Sequence, residues 1–312
     1  MLSRRNVRIK AMQQLYSLTQ DRELSFPEAM QAFRRSIQDA FLLYLLNLHS
    51  LVKVCSIATE DAGHRAKKHI KSEEDKLFTD KLYTNSKIQS LVQNKPFQES
   101  LKKEGFEKAI DDDLFRKIYK EFSKEASYIQ FIAKQETTDE DIVEILLELY
   151  RACRRNELFN EIMDDLFSSW ADDKSLVIGS VKKTIKALPV EGKFFNEFLP
   201  DDETVEEVGT TLLKKIHHEN GDLEKLIEPL LENWDSERVA VIDMILIKMG
   251  VIEMKYLKTI PTKVTIDEYV ELSKMYSTDK SKEFVNGVLD KILKILQEQG
   301  MIVKEGRGLL ES

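Results

Sequence analysis

An all-α fold is what this sequence of 312 residues predicts, on three observations. Glycine (11) and proline (6) are scarce, fewer turn-formers than sheet proteins or glycine-dependent nucleotide sites need. Apolar residues recur at three- and four-residue spacing, with no period-2 run of useful length. Capping signals of the S/T-x-x-E type precede those runs at Ser25/Glu28 (Pro27 just inside), Thr137/Glu140, Thr204/Glu207 and Thr265/Glu268.

Taken in order, these signals place helices near 4–19, 27–59, 61–70, 74–93, 111–134, 139–168, 173–187, 204–219, 222–232, 236–254, 266–276 and 282–298. Breaks fall around 20–26, at Asn94-Lys95-Pro96, from Pro189 to Gly192 and at Leu199-Pro200-Asp201. The segment 21–199 differs in character from its flanks, with long charged helices and no motif. The expected organisation is a first helix in 1–20, a large all-helical insertion over 21–199, the rest of a compact bundle over 200–299, and a frayed tail over 300–312 that contains Gly306 and Gly308.

Composition narrows the function classes. The chain is 42% hydrophobic and 33% charged, ordinary for a soluble helical protein. Cys55 and Cys153 lack CxxC spacing, which excludes a disulfide framework and predicts buried thiols in a reducing compartment. No apolar leader precedes Arg4, and the most apolar stretch, 40–58, is interrupted by Asn47, His49, Ser50 and Lys53. That stretch reads as a buried core helix and not as a membrane span, so a cytoplasmic location is expected. His217 and His218 are adjacent and point about 100° apart on a helix, a poor metal pair. His49, His64 and His69 lack partners at ligand spacing, and Asp111-Asp112-Asp113 reads as a solvated helix start. With no P-loop, G-x-G-x-x-G or G-x-S-x-G, no catalytic, cofactor or metal site is expected.

The net charge of -8 is unevenly spread. The first twenty residues hold Arg4, Arg5, Arg8 and Lys10 and no acid, a local +4; the remainder has 43 basic and 55 acidic residues, or -12. A basic tip on an acidic body predicts a localised anion-binding patch. On a helical wheel Val7, Ala11, Leu15 and Leu18 form one stripe, while Arg5, Arg8, Met12 and Tyr16 fill a neighbouring arc of about 80°. Guanidinium groups beside a phenol ring suit single-stranded nucleic acid, neutralising phosphates and offering a platform for a base. Cations in a first turn oppose the helix dipole at roughly 0.3–1 kcal/mol each, which points to an external anion at this end. A solvated, charged helix start has the same composition.

From Asp222 the chain becomes distinctive. A turn is expected at Trp234-Asp235-Ser236, then an apolar helix through Met254 and a break at Pro261. The last helix puts Phe284, Val285, Val288, Leu289, Ile292, Leu293 and Leu296 on one face; the period continues across Asn286-Gly287, so Gly287 reads as a close helix contact and not a turn. The opening helix with Gln13-Gln14-Leu15-Tyr16, the pattern Trp234-x3-Arg238-x4-Asp243, the helix 265–276 and above all Phe284-Val285-Asn286-Gly287-Val288-Leu289-Asp290 resemble the NusB family of transcription antitermination factors.

The resemblance covers about 4–19 and 203–297 and implies a compact helical bundle of NusB type. It further implies an RNA-binding factor that pairs with the ribosomal protein NusE, recognises single-stranded boxA RNA and serves the RNA polymerase antitermination complex. Carried over, Arg4, Arg5, Arg8, Gln13 and Tyr16 match the family's RNA-contacting first helix, and Tyr276 and Phe284 match aromatic positions near the same RNA. Asp243 matches an acidic position on the RNA or partner surface. Phe284 fits the core equally well, and Arg238 fits an ion pair or a cap. Asn6 and Ile9 interrupt the arginine run, and the insertion has no counterpart in compact members. Four neutralised phosphates would give a salt slope near -3 at about -0.7 each. Such modest binding would tighten once a basic partner extends the groove. The rival reading is a helical protein–protein adaptor that binds no RNA.

Overall fold

The computed structural model describes residues 2–231 and 240–309; Trp234, Arg238 and the turn expected at 234–236 lie outside the described residues. Every regular element among the described residues is helical. The chain divides into two compact units, one of Leu2–Ile37 with Pro200 onward and one of Gln38–Leu199. The first boundary thus falls after Ile37 and not at 20, because the second helix gives its opening turns to the first unit: Phe33 is fully buried there against Gly209.

In the unit that holds both ends of the chain, α1 (Arg4–Gln20) starts at Ser3. The Ser3 hydroxyl accepts from the Asn6 amide while the Asn6 side chain accepts from the Ser3 amide, a capping box closed by Asn instead of Glu. The Ser25/Glu28 box opens α2 (Phe26–Ala66), which runs on as one helix where two were expected. Nothing near Glu60 supplies a stop, since neither Gly63 nor a proline breaks the ladder.

In the Gln38–Leu199 unit, α2 supplies the central apolar face. Among the described residues only this helix is long and apolar enough to cross a membrane, and 78% of its most apolar window is buried. Two of its polar interruptions are satisfied internally: Asn47 donates to the Leu43 carbonyl and accepts from the Tyr150 hydroxyl, and Ser50 donates to the Leu46 carbonyl. Around it lie α3 (Glu73–Leu77), α4 (Lys81–Thr84), α5 (Ser86–Val92), α6 (Lys95–Lys103), α7 (Asp112–Phe122), α8 (Ala126–Ala133), α9 (Asp139–Arg155), α10 (Glu157–Leu166) and α11 (Trp170–Ala187).

Two of the long helices expected here, 74–93 and 139–168, are broken by local caps, whereas 173–187 lies intact within α11. Asn85 caps α5, Asn156 ends α9 and caps α10, and Asn94 caps α6 with Pro96 in its first turn, so the break expected at 94–96 is a helix start. The capping box of α9 is Thr138/Asp141, one residue beyond Thr137/Glu140. Asp111 caps α7, as a helix-start reading of the three aspartates requires. Cys55 and Cys153 are free and buried, and burial pushes both thiols up, Cys153 to about 12.

The chain re-enters the first unit through α12 (Asp202–Thr204), a π-helical stretch Val205–Thr210 and α13 (Thr211–Ile227), capped by Asp201 and not by Thr204. A Cβ on Gly209 would stand 2.2 Å from Phe33 Cζ and 2.8 Å from Val7 Cγ1, so the bare backbone is what lets α1 and α2 close on this stretch. Then come α14 (Val241–Tyr256), α15 (Thr262–Tyr276) and α16 (Ser281–Glu298), packed on one another, with α1 against α14 and the π stretch. Pro261 and not Thr265 caps α15; the Thr265 hydroxyl turns inward instead. Gly250 lies under Leu289 and Tyr269, and Gly287 lies inside α16, a helical and not a turn position as expected.

The tail differs from the frayed segment expected. After Gly300 turns at φ +63, the Glu305 amide donates to the Lys258 carbonyl at 3.0 Å, and Lys304 Nζ donates to the Leu257 carbonyl at 3.0 Å. Gly308 is buried where a Cβ would sit 2.1 Å from the Lys258 oxygen, so glycine here permits backbone-on-backbone packing.

Two predictions follow from this packing. Gly209→Ala should lower stability by about 1–3 kcal/mol, read as a fall in the urea midpoint, because Phe33 and Val7 have no free side to move into. His49, half-buried in α2, is held near pKa 4 by burial and by the charge of Lys53. The unfolded chain, with an ordinary histidine pKa of about 6.5, then binds the extra proton first, so this residue removes stability as pH falls from about 6.5 toward 4. His49→Phe should flatten that part of the pH–stability curve, and coincident curves for the two proteins would exclude the effect.

Candidate nucleic-acid interface

The arginine-rich opening of α1 is fixed by one buried ion pair. Arg8 Nε and Nη2 each donate to a different carboxylate oxygen of Glu253 at 2.8 Å. The Thr265 and Tyr269 hydroxyls donate to the same two oxygens at 2.9 Å, so the carboxylate accepts four hydrogen bonds while fully buried. Burial opposes the charge on Arg8, but the hydrogen bonds and charge of Glu253 outweigh it and raise the guanidinium pKa. Burial and the Glu253 charge push the Tyr269 hydroxyl well up, which keeps it a donor.

This corrects the helical-wheel reading. Val7 through Met12 are all buried, so Arg8 and Met12 do not line a solvent flank; Arg8, 2% exposed, joins α1 to α14 and α15. Of the expected arc only Arg5 and Tyr16 reach solvent. Arg5 pairs with Glu268 through two hydrogen bonds of 2.8 and 2.9 Å, and Arg4 lies 3.7 Å from Glu207. Hydrogen bonding to Glu268 raises the Arg5 pKa. Both side chains remain more than two-fifths exposed, and Tyr16 is 41% exposed. The anions that offset the first-turn cations are thus three carboxylates of the chain itself. Gln13 is half-buried on the same helix.

The remaining expected residues gather elsewhere. Asp243, buried in the first turn of α14, accepts from the Ser281 hydroxyl at 2.7 Å, one turn before Phe284. Tyr276 ends α15 and is half-buried, whereas Phe284 is 5% exposed and packs in the core face of α16. Glu253 meets Thr265 and Tyr269 while Asp243 meets Ser281, so α14 and α15 run antiparallel. The arginines occupy one end of this pair and the Asp243–Tyr276–Phe284 corner the other, about 12–15 Å away by helical rise. Arginines and aromatics are therefore not adjacent, and the buried Phe284 ring offers no open stacking face.

Two groups at the arginine end escaped the sequence reading. Arg4, Arg5 and Arg8 line an open groove of about 650 Å³ together with Thr259, Pro261, Glu268 and Arg307. Arg307 stands in a segment read as frayed, and Glu268 had been assigned to a cap. The one available signal was Glu253, an acid inside the apolar run Ile245–Met254, where only a buried partner makes a charge tolerable.

The model of the NusB family matches residues 177–294, a stretch that does not reach α1. The chain is 37% identical over 112 residues to Transcription antitermination protein NusB of Salinibacter ruber, covering 36% of this chain and 70% of that protein. It is 39% identical over 100 residues to the protein of the same name from Methylacidiphilum infernorum, 32% of this chain and 70% of that one. For the one from Chloroherpeton thalassium, identity is 42% over 90 residues, 29% of this chain and 43% of the relative, so less than half of that relative's length is spanned. No solved structure matches.

Removing one partner of the buried pair leaves an uncompensated charge. Glu253→Leu or Arg8→Ala should therefore cost about 3–5 kcal/mol in chemical denaturation. Arg5→Ala breaks an exposed pair and should cost less than about 1 kcal/mol.

Proposed function

Because the chain belongs to the NusB family, we propose that it is a transcription antitermination factor that binds single-stranded boxA-type RNA together with the ribosomal protein NusE. In this reading it is a non-catalytic, cytoplasmic component of the RNA polymerase antitermination complex. The observation that carries it is identity of 37–39% to NusB antitermination proteins over 70% of their length.

The geometry of α1 supports an exchange mechanism. Arg4 and Arg5 are exposed, and surface ion pairs such as theirs are worth only about 0–1 kcal/mol. A phosphate can displace Glu207 or Glu268 at little cost and gains a bidentate guanidinium contact. Tyr16, on the same helix, offers an exposed ring for a base. Arg8 acts through position: its guanidinium stays with Glu253 and holds α1 so that Arg4 and Arg5 face out. Gln13 and Tyr276, both half-buried, remain candidate contacts for RNA or partner; Asp243, 3% exposed and bonded to Ser281, supports its corner from within, as the buried Phe284 does.

Two phosphates from α1 give a salt slope of only about -1.4 for a single strand. Against a chain whose net charge is -8, that is weak attraction, and a basic ribosomal protein beside it would supply the missing charge. A salt titration of short boxA-type RNA, with and without NusE, should show weak binding by the chain alone and tighter binding by the pair. Arg4→Ala with Arg5→Ala should reduce RNA retention several-fold while leaving thermal unfolding nearly unchanged. Retention equal to that of the parent protein would favour the adaptor reading instead.

A further inference from the structure

We propose that Arg307, brought to the start of α1 by the C-terminal segment, is an additional phosphate contact for the RNA strand. The inference rests on the RNA reading above and extends its surface beyond the first helix.

Charge accounting in the groove singles out this residue. Arg4, Arg5 and Arg8 each face a carboxylate, from Glu207, Glu268 and Glu253. Arg307 is exposed and makes no hydrogen bond or ion pair among the described residues. It is the groove's unspent positive charge, and it meets an incoming anion without first releasing an internal one. A guanidinium fork matches two phosphate oxygens, and the open groove suits a strand passing across it better than an enclosed small molecule.

The segment that carries Arg307 is built into the unit. Gly306 turns at φ +55, the 3-10 turn Gly306–Leu309 follows, and the Gly308 amide donates to the Glu305 carbonyl. Glu305 is tied to Lys258 twice, by its amide and by a 2.8 Å ion pair, while Lys304 closes on the Leu257 carbonyl. Those anchors lie on the connection between α14 and α15, the same connection that supplies Thr259 and Pro261 to the groove. Arg307 therefore sits between Glu305, bonded to Lys258, and Gly308, packed against the Lys258 carbonyl, so its backbone is ordered before binding. It also lies beyond residue 294, where the match to the family model ends.

The test uses the full chain with NusE in every arm, a fluorescein-labelled boxA-type single-stranded RNA as probe, and anisotropy across a salt series. Arg307→Ala should bind several-fold more weakly and show a salt slope shallower by about 0.7. Arg307→Lys should restore most of the slope, since it keeps the charge. Thermal unfolding of Arg307→Ala should match the parent; a marked loss would overturn the proposal by assigning the residue a structural role. Unchanged affinity and slope in Arg307→Ala, with binding lost in Arg5→Ala, would remove Arg307 and leave the RNA reading standing. Failure of the parent pair to hold the RNA would remove both.

Discussion

The bidentate pair between Arg8 and Glu253 is the constraint on which the rest of this unit depends. Two charges with almost no solvent contact are tolerable only if each oxygen and each forked N–H is matched, and the Thr265 and Tyr269 hydroxyls complete that set. Its value is geometric more than energetic. A hydrophobic contact would let α1 slide or rotate by part of a turn at small cost; a planar fork on a planar carboxylate would not. Arg4 and Arg5 lie within one turn of Arg8, so locking its rotation also fixes which way they point.

The same logic explains why the arginine-rich end looks nearly neutral in the free protein. Glu207, Glu253 and Glu268 offset the first-turn cations that the helix dipole disfavours. The pairing is graded, however. At Glu253 it is buried and permanent, at Glu268 it is exposed and well aligned, and at Glu207 it is long and weak. Under the proposed function this gradient separates residues that hold the helix from residues that trade a carboxylate for a phosphate. An acidic chain can then carry an anion-binding tip without that tip binding every polyanion it meets.

Much of the architecture could be read in the residues. The periodicity of Phe284 through Leu296 placed α16 and overrode the turn signal of Asn286-Gly287, because an apolar face more than three turns long outweighs one dipeptide. Ser25/Glu28 started α2 correctly. Where the reading failed, competing local chemistry was the reason. Thr204 and Thr265 carry the spacing of capping residues, yet a better acceptor or a proline stands just upstream, at Asp201 and Pro261. The wheel for α1 could not distinguish a solvent flank from a second buried flank, since an arginine on either looks alike until the acid opposite is known. That acid lies 245 residues away. Likewise Gly306 and Gly308 flank Arg307 as a mobile tail would, and only the Lys258 backbone reveals Gly308 as a packing glycine, Gly306 serving the turn at φ +55.

That separation has a consequence for biosynthesis. At about 5–20 residues per second, roughly 12–50 s pass between translation of Arg8 and translation of Glu253. Throughout that interval Arg8 lacks its buried partner, while Gln38–Leu199 emerges as a unit with a core of its own. The buried pair that fixes the arginine end can therefore close only after the intervening unit has been synthesised. Maturation of the arginine end is gated by elongation itself.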